Sequence, residues 1–154
     1  MALERYGSLT LEQIEETEKK IGHKFPDDYK EFLMKTNGGK FRWPTDEDVH
    51  DFYVEPIEEE NIALDSFYGV GEEACDYLVI FNQEYGDEAE GGILIGGTLS
   101  HGFIVYDYLG NLEGKKAIYF WDSCGAYEES KDGNVYFVAN DFNELLKLCN
   151  LELN

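Results

Sequence analysis

The stretch from Gly91 to Ser123, GGILIGGTLSHGFIVYDYLGNLEGKKAIYFWDS, constrains the fold most. It holds three apolar runs, Ile93–Ile95, Phe103–Tyr108 and Ala117–Trp121, separated by Gly96-Gly97, Gly102, Leu109-Gly110-Asn111 and Gly114. Branched and aromatic side chains in short runs between turn residues indicate strands, because they pack well on a pleated surface. The connections are too short for a crossover helix, so neighbouring strands must run antiparallel. Phe103, Ile104, Val105 and Tyr106 are apolar on both faces, which marks a central strand.

Helices flank this sheet in the sequence. Thr10 and Gln13 form a capping box, with Leu9 and Ile14 as its staple. Leu11, Ile14 and Ile21 then share one helical face, and Gly22 supplies the stop. A second helix follows Phe25-Pro26, with Asp27 and Asp28 at its positive end. Its inward stripe is Tyr29, Phe32, Leu33 and Thr36, and Asn37-Gly38-Gly39 ends it. The two helices are expected to pack as a hairpin on the sheet. Lys40–Trp43 is a candidate first strand. Asp51–Val54 and Ile62–Tyr68 follow as strands joined through an acidic loop. The segment 75–86 has strand composition, yet Tyr77, Phe81 and Tyr85 recur every fourth residue, so it is assigned as a helix. Val135–Val138 is a last strand. Asp141 and Glu144 suggest a capping box before a closing helix with Phe142, Leu145, Leu146 and Cys149 inward.

Charge is distributed unevenly. The net charge is −21. Residues 41–91 carry 16 acids and one base, Arg42. Such a field repels phosphate backbones and anionic membranes and attracts basic partners; the plainer reading is solubility. The acids cluster at Asp46, Glu47, Asp48 and Asp51, at Glu58, Glu59 and Glu60, and at Asp87, Glu88 and Glu90. All three clusters are expected to be solvated loops. At 154 residues, one domain over 1–154 is expected. The three cysteines, Cys75, Cys124 and Cys149, lack paired spacing, and no leader is recognisable, so a cytoplasmic location is expected.

Chemistry-bearing motifs are weak. Cys124 and His101 are a conceivable nucleophile and base, but nothing in the sequence places them together. Gly97–Gly102 is not a nucleophile elbow. His23, His50 and His101 lack metal spacing, and the Asp46–Asp51 cluster lacks the glycine and distal glutamate of a calcium loop. No catalytic residue, metal or cofactor is therefore assigned. Trp43 and Trp121 read as core or sheet-edge aromatics, or as interface anchors.

Three ordered blocks resemble the SMI1/KNR4 family of the SUKH superfamily. The first is Leu9-Thr10 to Ile21-Gly22, then Phe25-Pro26-Asp27-Asp28-Tyr29-Lys30-Glu31-Phe32-Leu33 and Asn37-Gly38-Gly39. The second is Gly92-Ile93-Leu94-Ile95-Gly96 with Ile104-Val105-Tyr106-Asp107. The third is Ile118-Tyr119-Phe120-Trp121-Asp122 with Asp141–Leu146. Leu94 departs from the family, in which many members carry proline before the Ile-Gly. The resemblance implies an α+β domain with a mainly antiparallel sheet of about five or six strands. An N-terminal helix pair and a C-terminal helix would pack beside it.

It also implies a non-catalytic, protein-binding role. Bacterial members look like immunity proteins that neutralise a polymorphic toxin, often a nuclease, whereas fungal members look like scaffolding regulators of cell-wall synthesis. The short chain looks more like the bacterial kind, acting as a monomer or weak dimer on a basic toxin domain, without nucleic acid or membrane. The partner-binding residues then expected are the acidic clusters named above, with Tyr53, Phe67, Tyr68 and Tyr85 as the apolar centre. Clustered carboxylates would occupy the phosphate-binding groove of such a toxin.

Overall fold

The computed structural model describes residues 3–41, 51–54, 57–89, 92–98, 102–122, 134–149 and 151. The chain opens with strand β1 (Leu3–Arg5), which sequence patterning does not reveal; three residues form a strand here because they pair with a later one. Helix α1 (Leu11–Ile21) begins with the expected capping box. The Thr10 Oγ1 accepts from the Gln13 N–H at 3.2 Å, and the Gln13 Oε1 accepts from the Thr10 N–H at 2.9 Å. Gly22 closes the helix at φ 88°. The inward line differs from the expected one. Ile14, Thr17 and Glu18 are buried, whereas Leu11, at the first helical position and short of its neighbours, is half exposed. Burial of Glu18 is compensated locally: its Oε2 accepts the Phe25 N–H and lies 3.7 Å from the Lys30 Nζ.

Helix α2 (Asp27–Thr36) buries Tyr29, Phe32, Leu33 and Thr36 as its spacing requires. Strands β2 (Gly39–Phe41), β3 (Asp51–Val54) and β4 (Ile57–Phe67) follow, then helix α3 (Tyr77–Tyr85). The helical reading of 75–86 therefore holds. Strands β5 (Ile93–Thr98), β6 (Phe103–Asp107), β7 (Ala117–Asp122) and β8 (Asn134–Ala139) precede the closing helix α4 (Phe142–Leu148). The Asp141 side chain caps α4 by accepting the Glu144 N–H at 2.8 Å.

All pairings among the described residues are antiparallel. The sheet runs β1-β2-β4-β5-β6-β7-β8, and β3 pairs with β4 off that path. This α+β architecture has more strands than the five or six expected; the strand that the sequence does not show is β1, a short addition at one edge. The run expected as Lys40–Trp43 is a strand only from Gly39 to Phe41; Arg42 and Trp43 lie outside the described residues. Strand β6 is interior, as its doubly apolar pattern predicts.

One face of the sheet is covered by α2 and α4 through aromatic rings. Phe32 lies 5.1 Å from Phe67 and 4.8 Å from Phe142 between centroids, and Tyr29 lies 5.4 Å from Phe142. Offset and edge contacts of this kind add to the free energy of burying each ring. Asp28 joins three elements: its carboxylate accepts the Tyr106 hydroxyl at 3.1 Å and the Phe142 N–H at 3.2 Å. The start of α2 is thereby tied to β6 and to the start of α4.

Candidate functional site

Alternation along β6 puts Tyr106 against Phe142 and turns Phe103 to the other face of the sheet. On that face lies an open groove of about 530 Å³. One wall is α3, whose Tyr77, Phe81 and Tyr85 fall on one side at four-residue spacing. The other wall is Phe103 from β6 and Trp121 from β7, ring centroids 5.5 Å apart. Tyr68, just past β4, completes the array, 5.0 Å from Phe81 and 6.2 Å from Tyr77. Phe81 and Tyr85 each approach Phe103 to 5.6 Å, so the six rings are continuous. Gly97 lines the floor; a Cβ there would lie 2.7 Å from the Tyr68 hydroxyl. Tyr77 is 41% exposed, and Phe81, Tyr85 and Phe103 are half-buried, so apolar ring surface faces solvent.

Helix α3 is held by side-chain bonds to backbone. Beyond the Phe67–Gly96 pair, β4 leaves the ladder, apart from a bond from the Tyr68 N–H to the Ile95 carbonyl. Asn82 then takes over. Its Oδ1 accepts the Leu94 N–H at 2.8 Å, and its Nδ2 donates to the Leu94 carbonyl at 2.9 Å. The amide thus substitutes for a strand residue and satisfies two buried backbone groups. At the other end, Asn37 reaches Val70 in the same two-point way, donating to its carbonyl at 2.8 Å and accepting its N–H at 2.9 Å. The turn before α3 is tight: Cys75 and Asp76 both have positive φ, and the Asp76 Oδ1 accepts the Gly71 N–H at 2.9 Å.

The electrostatics are one-sided. Asp65 and Glu88 line the groove, and among the described residues no lysine, arginine or histidine does. Burial pushes the Tyr68 phenol above its ordinary value, and the nearby Asp65 and Tyr77 add to that. Tyr68 is therefore a neutral hydrogen-bonding group at physiological pH. The Thr98 hydroxyl accepts the Gly102 N–H at 3.0 Å. Rings, an amphipathic phenol and flanking carboxylates suit recognition of a positively charged protein surface.

Of the residues expected to bind a partner, Tyr68, Tyr85 and Glu88 meet in this groove, and Asp87 is exposed in the adjoining turn. Phe67 requires a correction. It is fully buried between α2, α4 and β2, packed 5.7 Å from Phe142 and 5.8 Å from Phe41, and has no surface to offer. Neighbouring residues of a strand point to opposite faces, so Tyr68 reaches the groove and Phe67 the core.

Glu58, Glu59 and Glu60 also require one. They belong to β4, not to a loop, and Asp51 opens β3 opposite Ala63. The register passes from Val54↔Ile57 to Phe52↔Ile62, so the three glutamates fall where β4 bulges against β3. Pairing of the flanking residues, Ile57 and Ile62, holds the segment in the strand despite the repulsion that argued for a loop. Tyr53 lies in β3. Asp46, Glu47, Asp48 and Glu90 lie outside the described residues, as do Cys124, His50 and His101. Asp65, Tyr77, Phe81 and Phe103 also line the groove and were not among the expected partner-binding residues. The i, i+4 ring stripe of α3 was its one visible signal, whereas Phe103 and Trp121 join only through strand pairing.

Among the described residues, no group of three or more His, Cys, Asp or Glu is arranged to hold a metal. The sheet and its helices define an α+β domain that carries an acid-flanked aromatic groove on one face. The model of the SMI1 / KNR4 family (SUKH-1) matches residues 8–148, and the chain belongs to that family. Domains of this family generally act as protein-binding modules rather than enzymes. No curated protein matches the chain significantly.

Proposed function

We propose that this protein is a cytoplasmic immunity protein of the bacterial type, binding a cognate toxin domain, with a basic nuclease as the expected target. The observation that carries this reading is the concentration of 16 acids against one base in residues 41–91. Those residues include α3 and, from β4, Asp65 and Ser66, which line the aromatic groove. A nuclease needs cationic side chains to hold phosphates, and a dense carboxylate surface competes for them. The same field accelerates encounter, to about 10⁸–10⁹ M⁻¹s⁻¹ at low ionic strength, while the rings supply the desolvated centre that rim charges lack.

The test is co-expression with a candidate toxin domain from a neighbouring reading frame, followed by binding measurements from low to high salt. Rescue of growth, with association slowing steeply as salt rises, is expected. Reversing Glu58, Glu59 and Glu60 to lysine should slow association at least about tenfold. Salt-independent binding, or no effect of the reversal, refutes the electrostatic mechanism. Affinity for several unrelated partners and none for a toxin would favour the regulatory or scaffold role instead.

A further inference from the structure

We infer that the groove between α3 and the Phe103–Trp121 wall is an arginine pocket, taking a basic segment of the partner with at least one guanidinium stacked among the rings. The inference deepens the proposed function and rests on it for the identity of the partner, but its chemistry stands on the groove itself. Three observations converge. The ring array is continuous over six residues, with centroid spacings of 4.9–6.3 Å. Aromatic faces carry negative potential and attract cations within about 6 Å, arginine above lysine, because guanidinium is planar and weakly hydrated.

The ends of the groove are negative. Asp65 lines the groove with Tyr77 and, like Tyr77, acts on both Tyr68 and Tyr6, so it lies towards the start of α3, whereas Glu88 follows the end of that helix. Nine residues of helix separate those ends by roughly 13 Å. The carbonyl end of α3 adds a partial negative charge of about half an elementary charge on the Glu88 side. No described lysine or arginine lines the groove to compete for these acids. Finally, the volume of about 530 Å³ exceeds a single side chain and suits a short stretch of chain. An apolar occupant would leave the partly buried Asp65 beside a dry contact without a partner, and an anionic one would meet repulsion at both ends.

The probes are tetra-arginine amide and its neutral isostere tetracitrulline amide, titrated into the full ¹⁵N-labelled chain at low salt. The arginine peptide should shift the amides of Gly97, Gly102 and Phe103 and the Trp121 indole. Tetracitrulline should bind about tenfold more weakly or worse, and Tyr77→Ala and Tyr85→Ala should each weaken the arginine peptide by about three- to tenfold. Equal binding of the two peptides, or shifts confined to β4, overturns the arginine pocket. The toxin domain separates this inference from the wider one. Binding that survives both tyrosine variants but fails on reversal of Glu58, Glu59 and Glu60 refutes the pocket and leaves the immunity role standing. Occupation of the groove by tetra-arginine with no affinity for the toxin domain refutes the role and leaves the pocket.

Discussion

Asn82→Ala is expected to be among the most damaging single changes on the groove side of the molecule. Asn82 is 5% exposed and Leu94 is fully buried. The wild-type amide makes one bond to the Leu94 N–H, one to the Leu94 carbonyl and a third from Nδ2 to the Leu78 carbonyl at 2.8 Å. Alanine removes all three, and two backbone groups of Leu94 lose the partners that β4 no longer supplies. An unsatisfied buried backbone group costs about 1–3 kcal/mol, so the pair gives about 2–6 kcal/mol. A water entering the vacated space would bring the result towards the lower figure.

With a urea dependence of about 2 kcal/mol per molar, the unfolding midpoint should fall by about 1–3 M. The assay is equilibrium urea unfolding followed by far-UV circular dichroism. Asn82→Asp provides a second arm. It keeps an acceptor for the Leu94 N–H but places an oxygen against the Leu94 carbonyl, so it too should destabilise at neutral pH. A midpoint shift below about 0.3 M for Asn82→Ala would refute the view that this side chain replaces a strand at the edge of β5.

Three further outcomes are expected. Gly69→Ala should cost about 2–3 kcal/mol in the same unfolding assay, because a Cβ there collides with the Asn37 carbonyl oxygen and lies 2.8 Å from the Asn37 Oδ1, which Val70 fixes. Stability should decline above about pH 10. Burial raises the phenols of Tyr29, Tyr68 and Tyr106 above the ordinary value of 10.0, with Asp28 adding to the effect at Tyr106. Their contribution is whole below that pH and is lost above it as the unfolded chain ionises first. The fully buried Tyr29 alone gives up to about 1.4 kcal/mol per pH unit, and a flat midpoint between pH 9 and 11 would contradict it. In native protein, Ellman's reagent should label exposed Cys75 rapidly but not Cys149, whose thiol burial pushes up to about 12. Cys75→Ser should remove a fast phase that Cys149→Ser leaves intact.

Local chemistry made much of the fold legible. The cap of α1 depends on residues three apart, the inward stripe of α2 on its own spacing, and β5, β6 and β7 on short apolar runs between glycines. Each signal acts over a single turn or strand, so Thr10, Phe32 or Val105 could be placed without knowing its neighbours in space. The same locality explains the errors. Leu11 sits on the azimuth of Ile14 but is half exposed at the first position of α1. Three glutamates in a row argue for a solvated loop until pairing at Ile57 and Ile62 holds the residues between them in β4. Leu3–Arg5 becomes a strand only because Gly39–Phe41 lies alongside.

By itself, the sequence determined the type of every helix and of the strands β5 to β8, the acidic middle third and the family likeness, since these depend on neighbours along the chain or on composition. The tertiary structure alone decided that Phe67 packs between α2 and α4 while Tyr68, though buried, lines the groove on the other face, and that Asn82 bonds a strand twelve residues away. It also gathered rings from α3, β6 and β7 around one groove. Those outcomes depend on strand register and helix docking, which long-range hydrogen bonds and burial fix together and no local pattern encodes.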